Sequence, residues 1–183
     1  MQHSLPPDPW HSFFTELDSQ LMKPVQLHCL GGFVVTMVYG LPRPTEDVDF
    51  LSTVPSDQVQ NVLELGGRGS ALHKKHRVYL HEILGGNLPE NYEDRLTEMF
   101  PSLYRKLGLF ALDPYDLALS KLERNIQRDR DDIKYLAAHA PLDSIMLKQR
   151  YEEEMRPYLS NQGRYDLTMK LWLDMLEEEH RNA

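Results

Sequence analysis

Gly31-Gly-Phe-Val-Val-Thr-Met-Val-Tyr-Gly-Leu-Pro-Arg-Pro-Thr-Glu-Asp-Val-Asp-Phe-Leu51 joins a Gly-Gly turn, set after one apolar run, to an Asp-x-Asp pair that enters a second. Alternate residues of a strand face the same side, so Asp47 and Asp49 project together. Two carboxylates on one side of a strand form a hard-cation site, and Mg²⁺ is the usual occupant where phosphates also bind. Gly31 and Gly32, upstream of the acids, let backbone N–H groups approach such phosphates closely. The two halves point to metal-assisted chemistry on a nucleoside triphosphate.

Around this stretch the chain alternates helices and strands. Apolar residues at 10, 13, 14, 17 and 21 have helical spacing, ended by Lys23-Pro24. A strand follows over 25–30, a helix over 33–39 and a second strand over 47–52. Residues 56–65 read as a helix with Ser56 as N-cap and Gly66-Gly67 as its stop. Residues 78–84 alternate as a strand. Residues 93–107 read as helical around Leu96, Met99 and Leu103, interrupted at Pro101, and 107–112 as a strand. One helix is expected from Pro114 through Lys121 to about residue 138, and two more near 143–159 and 163–180. The last would pack Leu167, Leu171, Trp172 or Leu173, and Leu176. Residues 1–9, rich in proline, read as an irregular arm. This order of elements gives an α/β (α+β) class, a mixed sheet covered by helices.

The long helix places Lys121 and Asp132 on one face, because residues eleven apart return to within about 20° of the same direction. Leu119, Leu122, Ile126 and Ile133 fall on the core side. A lysine on a polar stripe can neutralise a triphosphate. Equally, it can be an ordinary salt-bridge partner. His73-Lys-Lys-His-Arg77 reads plainly as a solvated basic turn, with a phosphate or acceptor-RNA contact as its functional alternative.

A formal charge of −8 argues against long duplex DNA as a partner, because neutralising phosphates dominates such binding. No apolar run is long enough for a bilayer. Residues 1–7 lack a basic-then-apolar signal pattern, and the single cysteine, Cys29, cannot close an internal disulfide. These features lead to a cytoplasmic expectation. No Gly-x-Ser-x-Gly, P-loop, His-Glu-x-x-His or Cys-x-x-Cys pattern is present.

An ordered set of short motifs goes further. Leu30-Gly31-Gly32 comes first, then Arg43-x-Thr45-x-Asp47-Val48-Asp49, then Asn91-Tyr-Glu-Asp-Arg-Leu96. Asp116-Leu-Ala-Leu-Ser-Lys-Leu122 and Arg128-Asp129-x-x-Asp132-Ile133 complete it. The set resembles the nucleotidyltransferase superfamily, whose fold is shared with polymerase beta. It looks closest to small bacterial members that include abortive-infection and toxin–antitoxin proteins.

The resemblance implies a nucleotidyltransferase core with an N-terminal helix over 1–112 and a helical part over 113–183 packing on it. It implies transfer of a nucleoside monophosphate from an NTP to RNA, protein or a small molecule, with Mg²⁺ (or Mn²⁺) as cofactor. Asp47, Asp49 and Lys121 would be catalytic. Gly31, Gly32, Arg43, Thr45, Lys121, Asp129 and Asp132 would bind nucleotide, with Asp129 and Asp132 both open as the helix acid. Asp47, Asp49 and Glu82 would hold metal. A third carboxylate usually lies on a neighbouring strand; here Glu82 is the nearest acid, while His81 can occupy the position instead, and the two point to opposite faces. tRNA and a cognate antitoxin protein are the family-level partners. Without a third acid, the alternative is a catalytically degenerate nucleotide- or partner-binding module. A further alternative is a structural subunit, in which Met169, Trp172, Leu173 and Leu176 form a partner-binding face.

Overall fold

The computed structural model describes residues 5–140 and 142–182, and side chains as far as residue 178. The chain divides into two compact units. The first comprises residues up to 84 together with 96–111, and the second comprises 85–95 together with 112 onward. The second unit therefore takes an excursion of chain from within the sequence of the first.

The first unit is built on a mixed five-stranded sheet in the order β3-β2-β1-β5-β4. Its strands are β1 (Val25–Leu30), β2 (Asp47–Val54), β3 (Tyr79–Glu82), β4 (Thr97–Met99) and β5 (Leu107–Ala111). β1 runs antiparallel to β2 and parallel to β5; β2 runs parallel to β3, and β4 antiparallel to β5. Central β1 is buried at five of six positions, as expected of a strand covered on both faces. The accompanying helices are α1 (Trp10–Gln20), α2 (Gly31–Met37), α3 (Val59–Gly66) and α4 (Ala71–His76). Phe13, Phe14 and Leu17 of α1 join Phe33 of α2 in the core. Trp10 stacks on Phe14 and meets Phe33 edge-on at 4.8 Å between ring centres. Such aromatic pairs add about 0.5–1.5 kcal/mol each beyond area burial.

The second unit is helical: α5 (Pro114–Leu119), α6 (Gln127–His139), α7 (Ser144–Arg150) and α8 (Gln162–Asn182). A π-helical turn, Tyr151–Met155, continues α7. Leu117, Leu122, Ile133, Leu136, Leu147, Met155, Trp172 and Leu176 are buried.

Three sequence expectations change. Residues 93–107 are not a helix. They form a short 3-10 turn (Tyr92–Arg95), then β4, then a bend in which Phe100 and Ser102 adopt positive φ around Pro101. Pro101 blocks helical hydrogen bonding, and the edge of β5 supplies partners that a helix would forgo.

The long helix expected from Pro114 is broken. α5 ends at Leu119, Asn125 turns left-handed at φ 43°, and α6 begins after an extended Ile126. The Asp129 carboxylate accepts the Ile126 N–H at 3.2 Å, capping the new helix. Asn125 is held in place by its Oδ1, which accepts the Trp172 indole N–H at 2.9 Å.

On α8 the buried face is Tyr165, Met169, Trp172 and Leu176, whereas Leu167 and Leu171 are exposed. The leucines looked equivalent in sequence, and only the facing helices select the buried stripe. The last expected helix runs beyond residue 180. The irregular arm expected over 1–9 lies outside the described residues at 1–4, and α1 begins directly after residue 9.

Candidate active site

β1 and β2 are paired so that Leu30 lies opposite Asp49. The chain then leaves β1 through Gly31 at φ 75° and enters α2. A β-carbon at Gly31 would strike Asp49 Oδ2, so glycine is required twice, for the left-handed backbone and for the space. The Gly-Gly turn and the second acid, apart in the sequence, are one packed unit.

Along β2, Val48 and Phe50 are fully buried while Asp47 and Asp49 are half-buried on the other face. β3 lies beside them in parallel register: Tyr79 opposite Asp47, Leu80 opposite Val48, His81 opposite Asp49 and Glu82 opposite Phe50. Paired positions share a face, so Tyr79 and His81 join the acids and Glu82 points away with Phe50. Among the described residues, Asp47, Asp49 and His81 each offer a ligand atom within 4.8 Å of the other two. Glu82, expected as the third metal ligand, is outside this group for that reason of register.

Each member is held. Thr45 Oγ1 lies 3.1 Å from the Asp47 carbonyl and 3.2 Å from Asp47 Oδ1, fixing the first acid's side chain to its own strand. His81 Nδ1 lies 2.9 Å from Asp49 Oδ1. The Tyr79 hydroxyl stands 3.5 Å from Asp47 Oδ2, a long contact. Burial and the Asp47 charge together push the Tyr79 phenol up from its ordinary value. The Arg68 guanidinium lies 5.7 Å from the Tyr79 ring centre and the His73 ring 4.9 Å from it. Arg43 is in the loop before β2, where its carbonyl accepts the Thr36 hydroxyl at 3.1 Å. Tyr79, two residues before His81, lies on the same face by strand alternation, a signal already present in the sequence.

The basic stretch 73–77 is mostly helical rather than a turn. Ser70 Oγ caps α4 by accepting the His73 N–H, and Arg77 closes it in left-handed conformation. Glu16 accepts from Lys75 at 2.6 Å and lies 2.8 Å from His76. Cys29 is buried within β1, and burial pushes its thiol far up, which suits a core residue and not a nucleophile.

In the second unit Lys121 is buried and donates to Asp132 Oδ2 at 2.9 Å, with Asp129 Oδ1 at 3.7 Å. The pairing expected from a continuous helix occurs across its break. Asp129 is also gripped by both Arg124 Nε and Nη2. Burial alone would raise the Asp129 carboxyl, but the Arg124 hydrogen bonds and the Lys121 charge outweigh it and hold it below the usual range. Both candidate acids therefore belong to the lysine's cluster. Nearby in the chain, Arg95 makes a two-point pair with the fully buried Asp116 and reaches Glu154 at 2.8 Å, while Arg150 also meets Asp116 at 2.9 Å. Arg95 of the 91–96 motif is thus a structural clamp of the second unit.

A strand pair that presents two aspartates and a glycine-bounded turn on one face invites comparison with known families. The family model described as "Nucleotidyltransferase of unknown function" (DUF6036) matches residues 14–179. The chain belongs to this family. The matched span runs from α1 through most of α8. No curated protein and no solved structure gives a significant match. Among the described residues, no helix is long and apolar enough to cross a membrane.

The donor set fits a divalent cation of the kind nucleotidyltransferases use. It combines two carboxylates and one imidazole, all reachable by a single ion, and Gly31 leaves the Asp49 carboxylate room at its back.

Proposed function

We propose that this nucleotidyltransferase moves a nucleoside monophosphate from an NTP to an acceptor hydroxyl, with Asp47 and Asp49 as cation-binding residues. The observation that carries the reading is the convergence of Asp47, Asp49 and His81 on one face of β2–β3 beside the Gly31 turn. In the reaction the acceptor oxygen bonds to the α-phosphorus, the α–β phosphoanhydride bond breaks, pyrophosphate leaves and the acceptor proton passes to solvent. A bound Mg²⁺ or Mn²⁺ would supply charge neutralisation at the reacting phosphate oxygens.

The chain's own contribution is positioning. Thr45 restrains Asp47, His81 restrains Asp49, and Gly31 leaves room for the Asp49 carboxylate. The backbone of Gly31 and Gly32 is proposed as a phosphate contact. Arg43, in the loop leading to Asp47, is proposed as a phosphate contact. Lys121 is proposed as a nucleotide contact of the second unit. Its ammonium, now held by Asp132 and Asp129, would exchange a carboxylate for a phosphate oxygen.

A second reading is favoured by one observation. Among the described residues no third carboxylate joins Asp47 and Asp49. A module that binds nucleotide without turnover would have this site. The resemblance extends the first reading to a cytoplasmic toxin acting on tRNA and restrained by an antitoxin protein.

The experiment is calorimetric titration of ATP, GTP, CTP and UTP with Mg²⁺ or Mn²⁺, followed by transfer of α-labelled nucleotide to cellular RNA and protein. Cation-dependent binding and labelling, both lost in Asp47→Asn/Asp49→Asn, is the expected result. Binding without labelling of any acceptor selects the second reading. No binding of any NTP refutes both.

A further inference from the structure

Resting on the cation-binding reading above, we propose that His81 is a direct nitrogen ligand and makes the site favour first-row transition cations over Mg²⁺. The strand register is the first argument. β3 places residue 81 opposite Asp49 and aims it to the same face, so the position nearest both acids holds an imidazole and not a carboxylate. Glu82 is turned away with Phe50, and a rotamer change cannot bring a residue of the opposite face into the group.

Geometry is the second argument. Ligand atoms around an ion bound at about 2.1 Å lie about 3–4 Å apart. The three donors here lie within 4.8 Å of one another, close enough for small side-chain rotations to complete the set. The His81 side chain is 54% exposed, so it is the member free to rotate toward an ion, while Asp49, 24% exposed, stays against Gly31. Thr45 anchors Asp47 from the other side.

Chemistry supplies the preference. Mg²⁺ strongly favours oxygen donors and sheds water reluctantly, whereas imidazole suits first-row transition ions. Replacing the third oxygen by nitrogen costs Mg²⁺ one of its favoured ligands and costs a first-row ion less. Mn²⁺, the first-row ion closest to Mg²⁺ in its ligand preferences, is the most stringent probe of that difference. A His81 that acted only through its hydrogen bond to Asp49 would orient the carboxylate without this discrimination.

The test uses the full chain without nucleotide. Mn²⁺ binding is followed by electron paramagnetic resonance and Mg²⁺ by competition, in wild type, His81→Asn, His81→Ala and Asp47→Asn/Asp49→Asn. The asparagine amide can still donate to Asp49 but has no nitrogen lone pair to offer. Expected are nitrogen hyperfine coupling on Mn²⁺ in wild type, its loss in both His81 variants, and a fall of ~10-fold or more in Mn²⁺ affinity with less than ~3-fold for Mg²⁺. His81→Asp should restore affinity while moving the preference toward Mg²⁺. Mn²⁺ bound without nitrogen coupling, or an unchanged Mn²⁺/Mg²⁺ ratio in His81→Asn, overturns the ligand role and leaves the Asp47–Asp49 reading standing. Absence of binding in wild type, or binding unaffected by Asp47→Asn/Asp49→Asn, overturns the underlying reading with it.

Discussion

Gly31, at φ 75°, packs directly against the carboxylate of Asp49, the residue opposite its neighbour Leu30 in the β1–β2 register. The turn that ends one strand therefore shapes the acid presented by the next. Gly31→Ala should cost about 1–2 kcal/mol for the left-handed backbone alone, with a further loss as Asp49 is displaced. Urea unfolding measures the first. Calorimetric loss of cation binding beyond that of a folded control measures the second.

Lys121 and Asp132 are both almost fully buried. Lys121→Met leaves two carboxylates in the interior facing one cation fewer and should destabilise by about 3–5 kcal/mol. Adding Asp132→Leu should recover part of that. A double-mutant cycle with a coupling of about 1–3 kcal/mol is the expected outcome. Additive effects would mean that the pair is not coupled.

Asp129 is held below the usual carboxylate range, its burial overcome by Arg124 and Lys121. A depressed folded value means stability that is present above the unfolded value of about 3.9 and lost as pH falls through the folded one. Acid unfolding of Asp129→Asn should therefore show a smaller decline below about pH 4 than wild type, followed by circular dichroism.

Arg95 faces an Asp116 carboxyl that burial has pushed up despite its two arginine partners. Arg95→Ala should destabilise by about 2–4 kcal/mol at neutral pH and raise the Asp116 carboxyl further. The sign is opposite to that of Asp129: the penalty applies where Asp116 is ionised and eases as pH falls through its folded value. Urea midpoints for the variant and wild type should converge toward acid pH.

On α8 Trp172 is buried and bonded to Asn125, while Leu171 is 54% exposed. Trp172→Ala should cost about 3–5 kcal/mol, whereas Leu171→Glu should stay within about 0.5 kcal/mol of wild type. Thermal melts separate the two.

The helix break at 120–126 shows where local pattern stops being informative. Lys121 and Asp132 meet as their eleven-residue spacing suggested, yet through a left-handed Asn125 whose side chain is fixed by Trp172, far along the sequence. Residues 93–107 carry helix-like apolar spacing but include β4, because β5 offers an open edge. Neither cause is local, so neither could be read from neighbouring residues.

From sequence alone came the class of the fold, four of the five strands and the Asp47–Asp49 pair, because alternation and glycine turns are local consequences of backbone geometry. The nucleotidyltransferase family was equally legible in the order of its motifs. Tertiary structure alone decided that Gly31 shelters Asp49 and that both Asp129 and Asp132 serve Lys121. It also decided that His81, and not Glu82, completes the cluster. Each of these depends on register between strands or on packing between distant segments, and a shift of one residue in register would exchange every face.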